Sequence, residues 1–208
     1  MPRQIDHQHR RRVIADAVCQ LIGEHGLEAV SLRDVAARAE VSLGAVQRCF
    51  RTKAEMLTFA LRDIGDQVIE RTRQRAAGSA DPLTTFTHLL TETALVDPAQ
   101  RAQARVWLAF TAQAAVDPTL AAELRTGYAT VHQLLTGLIR DCQRAGELRE
   151  VPDPAALAWE LLALTDGLTA QTLVGLVSPE AARGLLDRRL RRLWPLPPSR
   201  PRHNHDTG

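Results

Sequence analysis

Ser42-Leu-Gly-Ala-Val-Gln-Arg-Cys-Phe50-Arg-Thr-Lys-Ala-Glu-Met-Leu57 is the stretch that decides how this chain is read. Ser42 can accept from the amides of the following turn, Gly44 permits close backbone approach, and Phe50 supplies an apolar anchor. Thr52 and Glu55 form a capping box, in which hydroxyl and carboxylate each satisfy an orphan amide of a second helix. A very short helix, a tight break and a new helix therefore succeed one another within this segment.

Upstream, Ser31-Leu-Arg-Asp34 opens another short helix in the same way, with Val35, Ala36 and Ala39 on one apolar face. Glu40 and Val41 alone separate it from Ser42, which is the connection of a helix-turn-helix, whose second helix lies in a DNA major groove. Val13, Ile14, Ala17, Val18, Leu21 and Ile22 predict a longer preceding helix capped by Gly26. Singly, each of these signals describes only a stable helix. Their order and spacing point to a three-helix DNA-binding unit.

Residues 10 to 57 resemble the TetR-like (tetracycline-repressor-like) transcriptional regulators. The matching run is Ala36-Ala-Arg-Ala39-Glu-Val41-Ser42-Leu-Gly44, followed by Phe50-Arg-Thr-Lys53 and Leu57. Two positions depart from the family pattern: Gln47 replaces the usual Tyr and Cys49 the usual His or Tyr. Gln47 is compatible with a bidentate pair to adenine, and equally with a solvated polar residue. The resemblance implies DNA contacts from Ser42, Leu43, Gly44, Ala45, Gln47, Arg48 and Lys53.

Charge agrees with this without establishing it. Residues 1 to 57 carry nine Arg and Lys against seven Asp and Glu, while the remainder is balanced. Arg10, Arg11 and Arg12 read as a basic arm at the first helix, and Arg33, Arg48 and Lys53 flank the reading helix. Such groups neutralise phosphates and make affinity depend on salt. At a helix start the arginine run is electrostatically unfavourable, which favours a DNA-facing role.

The chain of 208 residues, 45% hydrophobic and net +2, describes a soluble globular protein of one or two domains. The first residues lack the apolar core of a secretory signal, so a cytoplasmic location is expected. Ala155 to Val177 is the most apolar region, but Glu160, Asp166 and Gln171 interrupt it and argue against a membrane span. Cys19, Cys49 and Cys142 are odd in number and lack Cys-x-x-Cys spacing, against disulfides or a zinc site. No cofactor or metal is expected: His203 and His205, in a tail expected to be disordered, make a poor site. No Gly-x-Ser-x-Gly, His-Glu-x-x-His or Walker-type loop supports an enzyme. A helical enzyme and a DNA-binding scaffold without sequence preference are the alternatives to a regulator.

Asp81-Pro82, Asp97-Pro98, Asp117-Pro118, Asp153-Pro154 and Ser178-Pro179 each place a capping side chain before a proline suited to the first helical turn. The expected helices are 10–25, 31–39, 42–49, 52–76, 81–96, 97–116, 117–146, 153–174 and 178–194, with no strand. The chain is thus read as all-α, with a helix-turn-helix domain over 1–51, a second domain over 52–194 and a tail over 195–208.

This map matches the TetR-like plan, in which helices four to seven surround a ligand and the last two build a dimer. Thr165-Asp-Gly-Leu168, Ser178-Pro-Glu-Ala181 and Leu185-Leu-Asp-Arg-Arg-Leu190 resemble the BetI-like subgroup more loosely. That resemblance implies a homodimer with Leu161, Thr165, Leu168, Leu185, Leu186 and Arg189 at or near its contact. Two reading helices would then engage a palindromic operator in double-stranded DNA, with half-sites about 34 Å apart. Phe59, Phe86, Trp107, Phe110, Tyr128 and Trp159 stand out as candidate walls of the ligand site, with His88, Arg105, Gln113 and Asp166 as polar handles. Core packing explains any one of these aromatics as well. The expected effector is a small hydrophobic molecule, and the expected action is repression relieved by that effector.

Overall fold

The computed structural model describes residues 2–77 and 81–194, with side chains from His7 onward. The tail expected over 195–208, with His203 and His205, lies outside the described residues. Nine α-helices are found among the described residues: α1 Pro2–His25, α2 Leu32–Arg38, α3 Leu43–Cys49, α4 Lys53–Ala76, α5 Pro82–Thr93, α6 Arg101–Ala114, α7 Pro118–Arg144, α8 Pro154–Leu173 and α9 Pro179–Arg191. No helix among them is long and apolar enough to cross a membrane.

Local chemistry sets most boundaries. Ser31, Ser42, Thr52, Asp81, Asp117, Asp153 and Ser178 all accept from amides of the turn they open. The Thr52 hydroxyl accepts from the Glu55 amide, and the Glu55 carboxylate reaches back to the Arg51 amide at 2.8 Å. Between α2 and α3, Glu40 adopts a left-handed φ of 54° and the Val41 amide donates to the Ala36 carbonyl, closing a Schellman turn without glycine.

Three boundaries differ from those expected. α1 begins at Pro2, because the polar run before Val13 contains no helix breaker after the proline, although it lacks the apolar period that marks a helix in sequence. The arginine run is therefore inside a helix, and the argument from an unfavourable helix start does not apply. α5 stops at Thr93, and Leu95 with φ 43° turns the chain. Asp97-Pro98 opens only a 3-10 turn, Pro98–Gln100, and α6 starts after it with no side-chain cap.

Two cores hold the molecule together. The first joins Ile14, Val18, Val35, Val46, Phe50, Met56 and Ile64, and is completed by Val106 and Phe110 of α6 and Leu120 of α7. The second gathers Val68, Phe86, Leu89, Leu135, Ile139, Leu161, Leu168 and Leu186. α4 contributes to both, so one continuous helix runs from the break after α3 into the second core.

Candidate functional site

α3 is built to show one face. Ala45, Val46 and Cys49 are buried, and Phe50 behind them is 1% exposed, leaving Gln47 and Arg48 outward. Ser42 and half-buried Leu43 and Gly44 form its leading end, with the Ser42 hydroxyl 3.1 Å from the Ala45 amide. A Cβ on Gly44 would lie 3.5 Å from Arg48 Nη1, an ordinary van der Waals contact, so the guanidinium folds back over this position without requiring a glycine there. Of the expected contacts Ala45 points into the core, and of the two departures from the family pattern only Gln47 faces out.

The basic residues around α3 divide into different roles. Arg33 is exposed at the start of α2, and Lys53 Nζ donates to the Glu28 carbonyl at 3.2 Å, tying α4 to the loop after α1. Arg10 is half-buried. Arg11 caps a pair of touching rings, its guanidinium carbon 4.7 Å from the Phe50 centroid and 4.4 Å from that of Phe59, the two centroids being 5.4 Å apart, with Glu55 3.8 Å away. That geometry pins α1 to the end of α3 and the start of α4, and it corrects the assignment of Arg11 to a free basic arm. Arg12 is exposed, with Asp63 of α4 4.0 Å from it.

A polar chain continues from that point. Gln67 donates to Asp63 at 2.7 Å, Gln103 to Gln67 at 3.0 Å, and Arg71 to both Gln103 and Glu92, the latter at 2.6 Å. Burial raises the Asp63 carboxyl above its ordinary range, and the Gln67 bond opposes this. Arg75 also pairs with the buried Glu92, at 2.7 Å. Arg105 of α6 donates to the Gly23 carbonyl of α1 at 3.1 Å. The reading unit is therefore fastened to α4, α5 and α6 by directional contacts as well as by the shared core.

Within the second half, a cavity of about 300 Å³ lies among α4, α5, α6, α7 and α8. Ile64, Val68, Leu124, Val131 and Leu162 supply apolar walls. Gly65 on α4 and Gly127 on α7 line it where a Cβ would meet nothing within 4 Å. Trp107 Nε1 donates to the Tyr128 hydroxyl at 3.2 Å, and that hydroxyl donates to Asp166 at 2.7 Å. Burial pushes the Asp166 carboxyl up to about 6, the Tyr128 bond pulling the other way, and burial beside Asp166 also raises Tyr128 well above its ordinary value. Asp66, Glu123 and Asp166 line the cavity against one guanidinium, Arg62, which grips Glu123 through two bonds of 2.7 and 2.6 Å.

Trp107, Tyr128 and Asp166 are thus brought together as expected ligand residues. Phe86 and Phe110 are fully buried in the two cores, Phe59 packs on Phe50 at 5.4 Å, and half-buried His88 and Gln113 are not in the cavity lining. Arg62, Asp66, Glu123 and Leu124 were missed as a lining set. The signal that points to them is a glycine in the middle of each of two long helices, Gly65 and Gly127.

The expected dimer residues need the same sorting. Leu161, Thr165, Leu168 and Leu186 are buried within a single chain, so they build the second core and not an outer face. Leu185 is 40% exposed, and Arg189 bonds Glu160 at 3.2 Å. The outward side of α8 carries Ala156, Trp159, Glu160, Ala163 and Gln171, and that of α9 Ala181, Leu185, Asp187 and Arg188, with Gly167 and Gly184 half-buried beside them. Apolar residues occur on nearly every side of α8, broken only by Glu160, Asp166 and Gln171, and this blurs the periodicity that would separate its two sides. Among the described residues no group of three or more His, Cys, Asp or Glu side chains is placed to hold a metal.

A capped two-helix reading unit, fastened to a helical domain that encloses a small cavity, defines a helix-turn-helix transcriptional regulator and not an enzyme. Residues 14–58 match the model described as bacterial regulatory proteins, tetR family, and residues 82–195 the model described as BetI-type transcriptional repressor, C-terminal. The chain belongs to the TetR family of transcriptional regulators. It is 31% identical over 174 residues to the HTH-type transcriptional regulator PksA of Bacillus subtilis, covering 84% of this chain and 83% of that one. A transcriptional regulator from Rhodococcus sp. Rha1 is 32% identical with a TM-score of 0.74, covering 88% of this chain and 95% of its own. A regulator from Saccharomonospora viridis, solved in complex with choline, is 26% identical with a TM-score of 0.77, covering 88% and 96%.

Proposed function

We propose that this protein is a dimeric repressor that holds a palindromic operator through α3 of each protomer and lets go when a small molecule enters the cavity between α4 and α8. The carrying observation is the course of α4. Its first turn is anchored beside α3 through Thr52 and Lys53, and eleven to fifteen residues after Lys53 the same helix lines the cavity through Ile64, Gly65 and Val68. Anything that shifts one stretch of this helix is felt at the other. A hundredfold loss of DNA affinity requires about 2.7 kcal/mol of difference in effector binding between the two states.

The lining supports a narrower effector class than the hydrophobic molecule expected from sequence. Apolar walls suit a hydrophobic body, while three carboxylates against one guanidinium and the rings of Trp107 and Tyr128 favour a cationic head. The choline bound to the Saccharomonospora viridis regulator is a molecule of that chemistry. The outward faces of α8 and α9, with small residues that allow close approach, are the surface proposed for the dimer. Such a regulator works in the cytoplasm, where its DNA is.

The test uses DNA selected by the protein from a random-sequence pool. Fluorescence polarisation should show a palindromic preference and release of the DNA by a small quaternary ammonium ion. Binding with no sequence preference would make the protein a scaffold, and an operator complex indifferent to cations would remove the effector reading.

A further inference from the structure

The cavity has a neighbour. A groove of about 560 Å³ runs along the outside of α6, α7 and α8, floored by Ala114, Ala121 and Ala129 and edged by Trp159, whose ring is 49% exposed. Leu124 and Tyr128 line both the groove and the cavity, so these two side chains form the partition between them. On the cavity side the partition presents the Tyr128 hydroxyl to Asp166. On the groove side its ring lies 6.4 Å from that of Trp159, with the planes 17° apart, and Trp159 in turn stacks on His132 at 4.5 Å.

The two spaces differ in chemistry. The cavity holds carboxylates, whereas the groove is walled almost wholly by carbon, its one charged lining residue being Arg125. A cation is repelled from the groove and attracted to the cavity, while an alkyl chain is accepted by the alanine floor. The Tyr128 hydroxyl donates to one oxygen of Asp166, Oδ2, so a cation drawn to this carboxylate weakens the bond that holds the Tyr128 ring across the partition.

We propose that the effector is a cationic amphiphile whose ammonium head sits in the cavity against Asp166 and whose hydrocarbon tail passes Tyr128 to lie in the alanine-floored groove. The proposal rests on the cavity being the effector site, and adds that a compact cation leaves the larger, neighbouring space empty. Tyr128 is then the residue that sets how long an effector can be.

The experiment titrates the full-length protein calorimetrically with n-alkyltrimethylammonium salts, from tetramethylammonium to decyltrimethylammonium, kept below their micelle concentrations. Tetramethylammonium should bind weakly, and each added methylene should tighten binding by about twofold to fourfold until the groove is full. Ala129→Trp and Ala121→Trp, each checked for an unchanged helical melting curve, fill the groove and should flatten the series without altering tetramethylammonium binding. Binding of tetramethylammonium with no gain along the series overturns the amphiphile proposal and leaves the cavity reading standing. A gain that persists in both tryptophan variants also overturns it, because the tail then lies elsewhere. If no member of the series binds, both readings fall together.

Discussion

Arg11 gives the sharpest separation between holding DNA and holding the part that reads it. Its guanidinium lies over the adjacent rings of Phe50 and Phe59, and its side chain is 28% exposed. Each cation–π contact is worth about 0.5–2 kcal/mol according to its desolvation, and the partly exposed Glu55 pair adds little. Arg11→Ala should therefore destabilise the protein by about 1–3 kcal/mol, which for a chain of this size lowers Tm by roughly 3–10 °C. Operator affinity should fall because the end of α3 is no longer pinned. The slope of log affinity against log salt should hold its value, since no phosphate contact is removed. A direct phosphate contact in each protomer of a dimer would contribute about 1.8 to that slope. Polarisation titrations of wild type, Arg11→Ala and Arg11→Met over a range of salt concentrations decide the matter. Arg11→Met keeps an apolar stem against the rings and should recover part of the stability. A slope reduced by about 1.8, with an unchanged melting temperature, would refute the argument and return Arg11 to the DNA surface.

The reading helix, the cavity carboxylate and the outer helical face each carry a further expectation. Gln47→Ala and Arg48→Ala should each weaken operator binding by about 1–3 kcal/mol per lost base contact, and should relax preference at particular positions of the selected DNA. An unchanged selected sequence would mean that α3 does not read it. The Asp166 carboxyl is raised from 3.8 to about 6, so its ionised form is disfavoured in the folded chain and the protein loses stability as pH rises through that window. Asp166→Asn should then melt higher than wild type at pH 7.5, with the gap closing near pH 4, and wild-type affinity for a cation should fall about tenfold between pH 7 and pH 5. A pH-independent titration would show that Asp166 is not the partner of the charge. Ala163→Arg on α8, or Leu185→Asp on α9, should give folded monomers by light scattering. Leu168→Asp, being in the core, should instead unfold the chain, and a folded variant would mean that this core has been wrongly placed.

How much of this was legible in the sequence depended on the range of the interaction involved. Caps act within four residues, so Ser31, Ser42, Thr52 and the Asp-Pro pairs announced their helices, and the reading unit with them. Asp97 caps its own turn as expected, but whether that turn extends into a full helix is decided by the packing of α6, which no local signal carries. Arg11 looks like its neighbours Arg10 and Arg12 in sequence. Only the fold brings Phe50 and Phe59 together beneath it. Trp107 and Phe110 sit one turn apart on α6, and yet one lines a cavity while the other is buried in a core. Aromatic content cannot distinguish an enclosed space from a filled one. A mid-helix glycine, as at Gly65 and Gly127, is the better local sign, because it lowers helix stability and so asks for a reason.

The three residues that α6 and α7 lend to the first core limit how the reading unit can be moved. Val106, Phe110 and Leu120 are nearly inaccessible and share one core with α1, α2 and α3, α6 reaching it chiefly through α1. A cut at residue 51 would leave their counterparts facing water, so the reading helices are not a transferable cassette. A chimera that grafts them onto another sensor has to carry the chain through Ile64 and rebuild this three-residue seat on the host. Exchange of operators among such proteins is in this respect a problem of matching surfaces inside one molecule before it is a problem of reading DNA.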